Sequence, residues 1–333
     1  MHLNRRRFLQ VGGGAGLAIA YDIAQSREQA VAETPGKILI GYPTIAAGLP
    51  FFYAVEKGLF KEAGLDVEAK KFVNPQQIIE GMIAGQLQGC SNGTPSGALA
   101  IAQVVSPNFF KIIVSNPTNR KFVLDQFIVA KNSPIRSIAE LKGKKVGCGP
   151  GPQDLAVTKG ILAKNGITDA QILQLDRAQH PAAVSSGSIA AAYTLEPNGT
   201  IGTLNGLTRV LETGVVAKYI LGDPRAPWFG GSAVLTTKFI TTYPKTAQKY
   251  IQTYRRAVDV VRKNPNEARA SMVGYTPITG SLVKAVPLPD YRVYDEFSSL
   301  DLKHFQSFYD FLLDSKILTK KVQVAPLLYK PSR

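Results

Sequence analysis

Short runs of valine, isoleucine and leucine alternate with longer amphipathic stretches over most of the chain, and glycine or proline marks nearly every junction. Residues 37–41 read as a strand, 42–50 as a loop and 51–60 as a helix, stopped at Ala63-Gly64. Residues 65–73 alternate with period two. Residues 75–84 are helical up to Gly85, 86–90 form a short buried strand, 91–95 a loop and 96–105 a helix. The order β-α-β-α-β-α predicts an open parallel sheet with helices on both faces. It then returns, with strands at 144–147, 172–175 and 190–195 and helices at 153–163 and 181–186. Farther on, 245–263 places Ile251, Tyr254, Val258 and Val261 on one helical face, opposite Lys249, Arg255, Arg256, Arg262 and Lys263, which predicts a solvated charged face. Residues 301–318 carry a comparable stripe of Phe305, Phe308, Leu312 and Ile317.

The two halves of this pattern match without a gap. Ala54-Val55 recurs as Ala156-Val157, Lys57-Gly58 as Lys159-Gly160, Gly64 as Gly166, Gln77 as Gln179, Gly85 as Gly187, Pro95 as Pro197 and Gly97 as Gly199. Two copies of one α/β unit imply two similar lobes with a cleft between them. Residues 125–131 and 231–237 read as strands that cross between the copies as a two-segment hinge. The fold class is therefore α/β, with two similar doubly wound lobes: 37–126 and 232–333 in lobe 1, and 127–231 in lobe 2.

The first 32 residues stand apart. Arg5-Arg6-Arg7-Phe8-Leu9 precedes an apolar stretch too short to span a bilayer, and Ala30-Val31-Ala32 offers a small-residue exit. These features read as a twin-arginine-like export signal with a periplasmic destination. The formal charge is +15, and residues 1–32 hold four arginines against Asp22 and Glu28, so the remainder carries 15 − 2 = +13. The basic residues are dispersed rather than interleaved with aromatics, which argues against a nucleic-acid partner. No later run is apolar enough for stable membrane insertion. Cys90 and Cys148 are the only cysteines and make no disulfide framework. The picture is a monomer with a small-molecule ligand, no cofactor and no metal.

In open α/β sheets, ligands bind beyond the carboxyl ends of the strands. That rule selects loops 42–49, 91–96, 149–154 and 196–198. The ligand-binding candidates are Tyr42, Ala46, Asn92, Gly93, Thr94, Ser96, Gly149, Gly151, Gln153, Asp154, Glu196 and Asn198, together with Gln126 and Trp228 at the two crossings. Each loop precedes a helix, whose N-terminal N–H groups suit a carboxylate, sulfonate or phosphate. Structural roles compete: 91–96 as a turn and cap, Glu196 as a helix cap, Trp228 as core. Residues 149–152 lack the ending of a phosphate loop. His304 lies in an apolar stripe, His180 precedes a helix, and no His/Asp/Glu group has metal-ligand spacing. No catalytic residue is assigned.

Ile40-Gly41-Tyr42 and the run Ala54-Val55-Glu56-Lys57-Gly58-Leu59-Phe60 with Gly64-Leu65-Asp66-Val67 resemble the start of periplasmic substrate-binding proteins of ABC importers. The similarity is to the sulfonate, nitrate, taurine and thiamine-precursor binders. Ser133-Pro134-Ile135 through Glu140-Leu141-Lys142-Gly143-Lys144-Lys145-Val146-Gly147 is similar to that family's entry into its second lobe. The resemblance covers about residues 37–320. It implies a type II bilobal fold that closes on its solute by hinge motion, and handover to an ABC permease and ATPase subunit. Gln88 and Ala190 stand where family members often carry an acidic residue, and no sulfonate- or nitrate-specific residue set carries over. Two alternatives come with the family: a sensor-associated receptor, or an enzyme on the same scaffold. The enzyme relatives are a sulfinate-cleaving enzyme with a cleft cysteine and a pyrimidine-precursor synthase whose cysteine-rich motif is missing here.

Overall fold

The computed structural model describes residues 36–331. The export signal expected over residues 1–32 lies outside them. The described residues begin with β1 (Ile38–Pro43), α1 (Leu49–Glu56), α2 (Leu59–Glu62), β2 (Val67–Phe72), α3 (Gln76–Ile83), β3 (Gly89–Pro95), α4 (Ser96–Val105) and β4 (Phe110–Ser115). The second unit holds β5 (Asp125–Ala130), β6 (Lys145–Cys148), α5 (Pro152–Lys164), β7 (Gln171–Gln174), α6 (His180–Ser185), β8 (Ala191–Leu195), α7 (Asn198–Leu204), β9 (Thr208–Thr213) and α8 (Val215–Tyr219). Then follow β10 (Gly231–Thr236), α9 (Thr237–Thr242), α10 (Pro244–Lys263), α11 (Pro265–Ala268), β11 (Arg292–Val293) and α12 (Ser299–Asp314).

Two sheets result, ordered β11-β4-β10-β3-β1-β2 and β7-β6-β8-β5-β9. Strand β1 runs parallel to β2 and β3, and β6 runs parallel to β7 and β8, as the β-α-β pattern requires. Neither sheet is wholly parallel, however. Strand β10 is antiparallel to β3 and β4, and β5 is antiparallel to β8 and β9. Each of these two strands is laid down as the chain arrives from the other lobe, and β11 is also antiparallel, to β4. The segments expected to cross lie inside the sheets instead. Asp125 and Gln126, placed by sequence in lobe 1, pair with Leu195 and Thr194 of the second sheet. The crossing itself is tied where Thr118 N–H donates to Trp228 O (3.0 Å) and Trp228 N–H to Thr118 O (2.8 Å).

The internal repeat survives as backbone geometry. Gly64 and Gly166 have φ of 72° and 74°, and Gly85 and Gly187 have 73° and 76°. All four follow helices in the left-handed conformation, where glycine carries no Cβ penalty. One matched pair diverges. Gly58 adopts φ 70° and splits the helix expected over 51–60 into α1 and α2, whereas Gly160 lies within α5. The loop expected at 91–95 is likewise extended, because β3 continues to Pro95 alongside β10.

Two aromatic packings fix the lobes. In the first, Phe60 stacks on Tyr250 (4.9 Å) and Phe51 on Tyr254 (6.2 Å), joining α10 to α2 and α1. Burying each such ring contributes about 2–3 kcal/mol. The outer face of α10 forms surface ion pairs, Arg256 with Glu62 and Arg262 with Glu296, each worth at most about 1 kcal/mol. In the second, α12 buries Phe305 and Phe308 against Phe229 and Trp228 of the crossing. Tyr309 O–H on the same helix donates to Ser96 O (3.1 Å).

Candidate functional site

The carboxyl ends of β3, β4, β6, β7 and β8 converge with the second crossing on one small cavity of about 10 Å³, room for about one water molecule. Its lining comes from both lobes: Ile45, Gly93 and Asn116 from the first, Gln153, Asp154 and Arg177 from the second, with Trp228 and Gly230 from the crossing. A larger open hollow of about 680 Å³ is lined by first-lobe residues alone, among them Gln88 at the entrance of β3 and Thr236 at the exit of β10. It lies at the opposite end of the sheet, so the strand rule selects the smaller cavity despite its size.

On the first-lobe side, Gly93 (φ 88°) lets β3 pass so close to β10 that a Cβ on Gly231 would lie 2.9 Å from Gly93 Cα. Asn116, just beyond β4, accepts the Gly93 N–H at 3.1 Å and the Asn92 side-chain N–H at 3.4 Å through Oδ1. Its Nδ2 is thereby turned away from these groups, buried and without a partner. Asn92 itself is engaged inside lobe 1. Tyr254 O–H donates to Asn92 Oδ1 at 2.8 Å, and Asn92 N–H donates to the Tyr254 hydroxyl at 3.2 Å.

On the second-lobe side, the first turn of α5 presents Gln153 and Asp154. Asp154 Oδ2 meets Arg177 Nη2 at 2.5 Å, both side chains at least nine-tenths buried. Burial pushes the Asp154 carboxyl up, and the Arg177 guanidinium opposes that shift. A Cβ on Gly149 would collide with this pair. Arg177 Nε is buried and unpartnered, as is Trp228 Nε1. Three N–H donors of the cavity lining, on Asn116, Arg177 and Trp228, therefore have no acceptor among the described residues. Each such buried donor left unmet costs about 1–3 kcal/mol.

Two of the helix N-termini expected to receive an anion, those of α7 and α4, are already engaged. Glu196 accepts Thr200 N–H (3.1 Å) and Gln126 Nε2–H (2.7 Å), so it caps α7, and burial pushes its carboxyl up. At α4, Ser96 N–H donates to Gly230 O (3.0 Å) and Gly97 N–H to Gln153 Oε1 (2.6 Å).

Of the sequence candidates, Gly93, Gln153, Asp154 and Trp228 line the cavity. Ala46 joins the lobes through its N–H to Glu196 O (3.1 Å). The others do not line it and are engaged by neighbouring groups. Tyr42 packs against Phe52 and Tyr275, Thr94 O–H donates to Ser91 O, and Ser96 Oγ pairs with Ser232 Oγ. Gly151 N–H donates to Gln174 Oε1, and Asn198 Nδ2–H to Leu195 O. Asn116 and Arg177 were missed. Extending the strand rule to β4 and β7 would have reached both.

Burial pushes the Cys90 and Cys148 thiols up to about 12, far from the range of a nucleophilic thiolate. Burial, aided by Arg177, lowers His180 to about 4, so its imidazole is neutral at pH 7. Among the described residues no group of three His, Cys, Asp or Glu side chains is placed to hold a metal ion.

The family described as NMT1/THI5 like matches residues 47–268. The putative aliphatic sulfonates-binding protein of Bacillus subtilis (strain 168) is 24% identical over 282 residues, 83% of this chain and 81% of that one. Its counterpart in Escherichia coli (strain K12) is 24% identical, with 77% of each chain covered. Among solved structures, the alkanesulfonate-binding protein SsuA from Xanthomonas axonopodis pv. citri, bound to MOPS, superposes with a TM-score of 0.72 at 20% identity, covering 90% of this chain and 99% of that one. The periplasmic nitrate-binding protein NrtA from Synechocystis PCC 6803 gives 0.65 at 15% identity, covering 87% and 84%. These likenesses show the two-lobed type II fold.

Proposed function

The chain belongs to the NMT1/THI5-like family, and from that premise we propose that it is an exported solute-binding protein that captures a small polar or anionic organic solute between its lobes and delivers it to an ABC importer. The observation that carries this reading is that three residues lining one interlobe cavity, Asn116, Arg177 and Trp228, each keep a buried N–H donor without an acceptor. A solute whose head presents several acceptor oxygens would complete them. Asp154 already neutralises Arg177, so an anion is held by directed hydrogen bonds more than by net charge. The relatives named for sulfonates and nitrate support a solute of that class.

Entry requires the lobes to separate, because the closed cavity holds about one water. The paired crossing at Thr118 and Trp228 is the place for that hinge. A periplasmic, monomeric protein working with a permease and an ATPase subunit, exported through residues 1–32, completes the proposal. The enzyme alternative needs an activated thiol, and both thiols are pushed in the wrong direction.

Trp228 is the sole tryptophan and lines the cavity, so its fluorescence reports binding directly. Titration with taurine, ethanesulfonate, nitrate and acetate, with glycerol as a neutral comparator, tests the reading. A true ligand at a hundred times its Kd should also stabilise the fold by about 2.7 kcal/mol. An absence of response to every anion refutes the anionic assignment.

A further inference from the structure

Gln153 belongs to the second lobe, yet both of its side-chain polar atoms are used outside it. Oε1 accepts the N–H of Gly97, in the first turn of α4 in the first lobe, at 2.6 Å. Nε2 donates to Gly230 O, at the end of the second crossing, at 3.0 Å. That same carbonyl accepts Ser96 N–H, so one carboxamide joins α5, α4 and the crossing in a single buried network. The first lobe is shaped to admit it. A Cβ on Gly97 would stand 2.9 Å from Gln153 Oε1 and 3.3 Å from Gln153 Cβ, although Gly97 does not have the positive φ that demands glycine. Its lack of a side chain therefore serves the close approach.

We propose that Gln153 is an interlobe strut, whose carboxamide draws the lobes together using protein groups alone and takes the N-terminus of α4 out of the solute's reach. Alongside it, the backbone bond from Ala46 to Glu196 adds a second contact between lobes. Solute binding then works against a closed population that the chain sets by itself, a conformational-selection cost. The inference rests on the two-lobe binding reading only for that last consequence, since the strut needs no solute.

The test uses the full mature chain, refolded from denaturant to strip any carried solute. Two variants approach the strut from opposite lobes: Gln153→Leu, which keeps the bulk and removes both hydrogen bonds, and Gly97→Ala, which leaves Gln153 intact and crowds it. Two neutral hydrogen bonds correspond to a shift of about tenfold or more in the open-to-closed ratio. Small-angle scattering of the solute-free wild type should fit the closed arrangement, and acrylamide should quench Trp228 weakly. Either variant, still unfolding cooperatively, should enlarge the radius of gyration and raise the quenching constant severalfold. The strut is overturned if the wild type scatters as an open molecule, or if both variants leave scattering and quenching unchanged. Failure of every anion in the titration would remove the solute assignment and leave these outcomes intact.

Discussion

Asp125 opens β5 at the entrance to the second lobe, fully buried, and offers a quantitative test of how that lobe is held. Its Oδ2 accepts the Val216 N–H at 2.9 Å, capping α8, while Oδ1 has no partner. Burial raises its carboxyl to about 6 from an ordinary 3.8, against the backbone N–H groups that favour the charged form. A raised folded value means the folded state holds the proton more tightly. The resulting stabilisation is complete below pH 3.8 and lost as pH rises through 6. The shift of 6 − 3.8, about 2 units, corresponds to about 3 kcal/mol. Asp125→Asn keeps the cap acceptor and removes the titration. Urea unfolding of both proteins at pH 7, 6, 5 and 4 should show the wild type gaining about 2 kcal/mol on the variant as pH falls from 7 to 4, most of the full effect. His180, lowered to about 4, acts with the opposite sign: its contribution is complete above pH 6.5 and lost as pH falls toward 4. The wild-type profile alone therefore hides both, and the difference curve is the decisive measurement. A flat or inverted difference would refute the assignment of Asp125 as a buried carboxyl short of one partner.

Trp228→Phe keeps the ring against Phe308 and deletes one of the three unpartnered donors. If a ligand acceptor meets that N–H, calorimetry should show Kd weakened about tenfold with the melting temperature of the unbound protein little changed. Gly64→Ala and Gly166→Ala place a Cβ at equivalent left-handed helix ends with open space around each. Both should cost about 1 kcal/mol by chemical denaturation. A clear inequality would show that the two copies no longer bear their helix ends in the same way.

The amphipathic stretch 245–263 was legible because helical periodicity alone decides which face is buried, and α10 turns Tyr254 and Val258 inward accordingly. Asn92 shows where composition fails: an asparagine in a ligand-side segment looks like a ligand contact. Its partner, Tyr254, lies 162 residues away, and only the packing of α10 on the sheet reveals that the side chain is engaged.

The sequence by itself determined the repeat, the β-α-β order and the ends of strands where a solute could sit. Those features depend on local φ, on periodicity and on the chirality of short connections. Only the tertiary structure decided that β5 and β10 each complete a sheet as an antiparallel strand, since strand pairing is made with distant segments. It also decided which donors remain free. Gln153 and Glu196 engage N-terminal groups of α4 and α7 that the sequence had offered to an anion, while Asn116 Nδ2, Arg177 Nε and Trp228 Nε1 are left without acceptors. A hydrogen-bonding group advertises its chemistry in the sequence, but whether it is available depends on what folds against it.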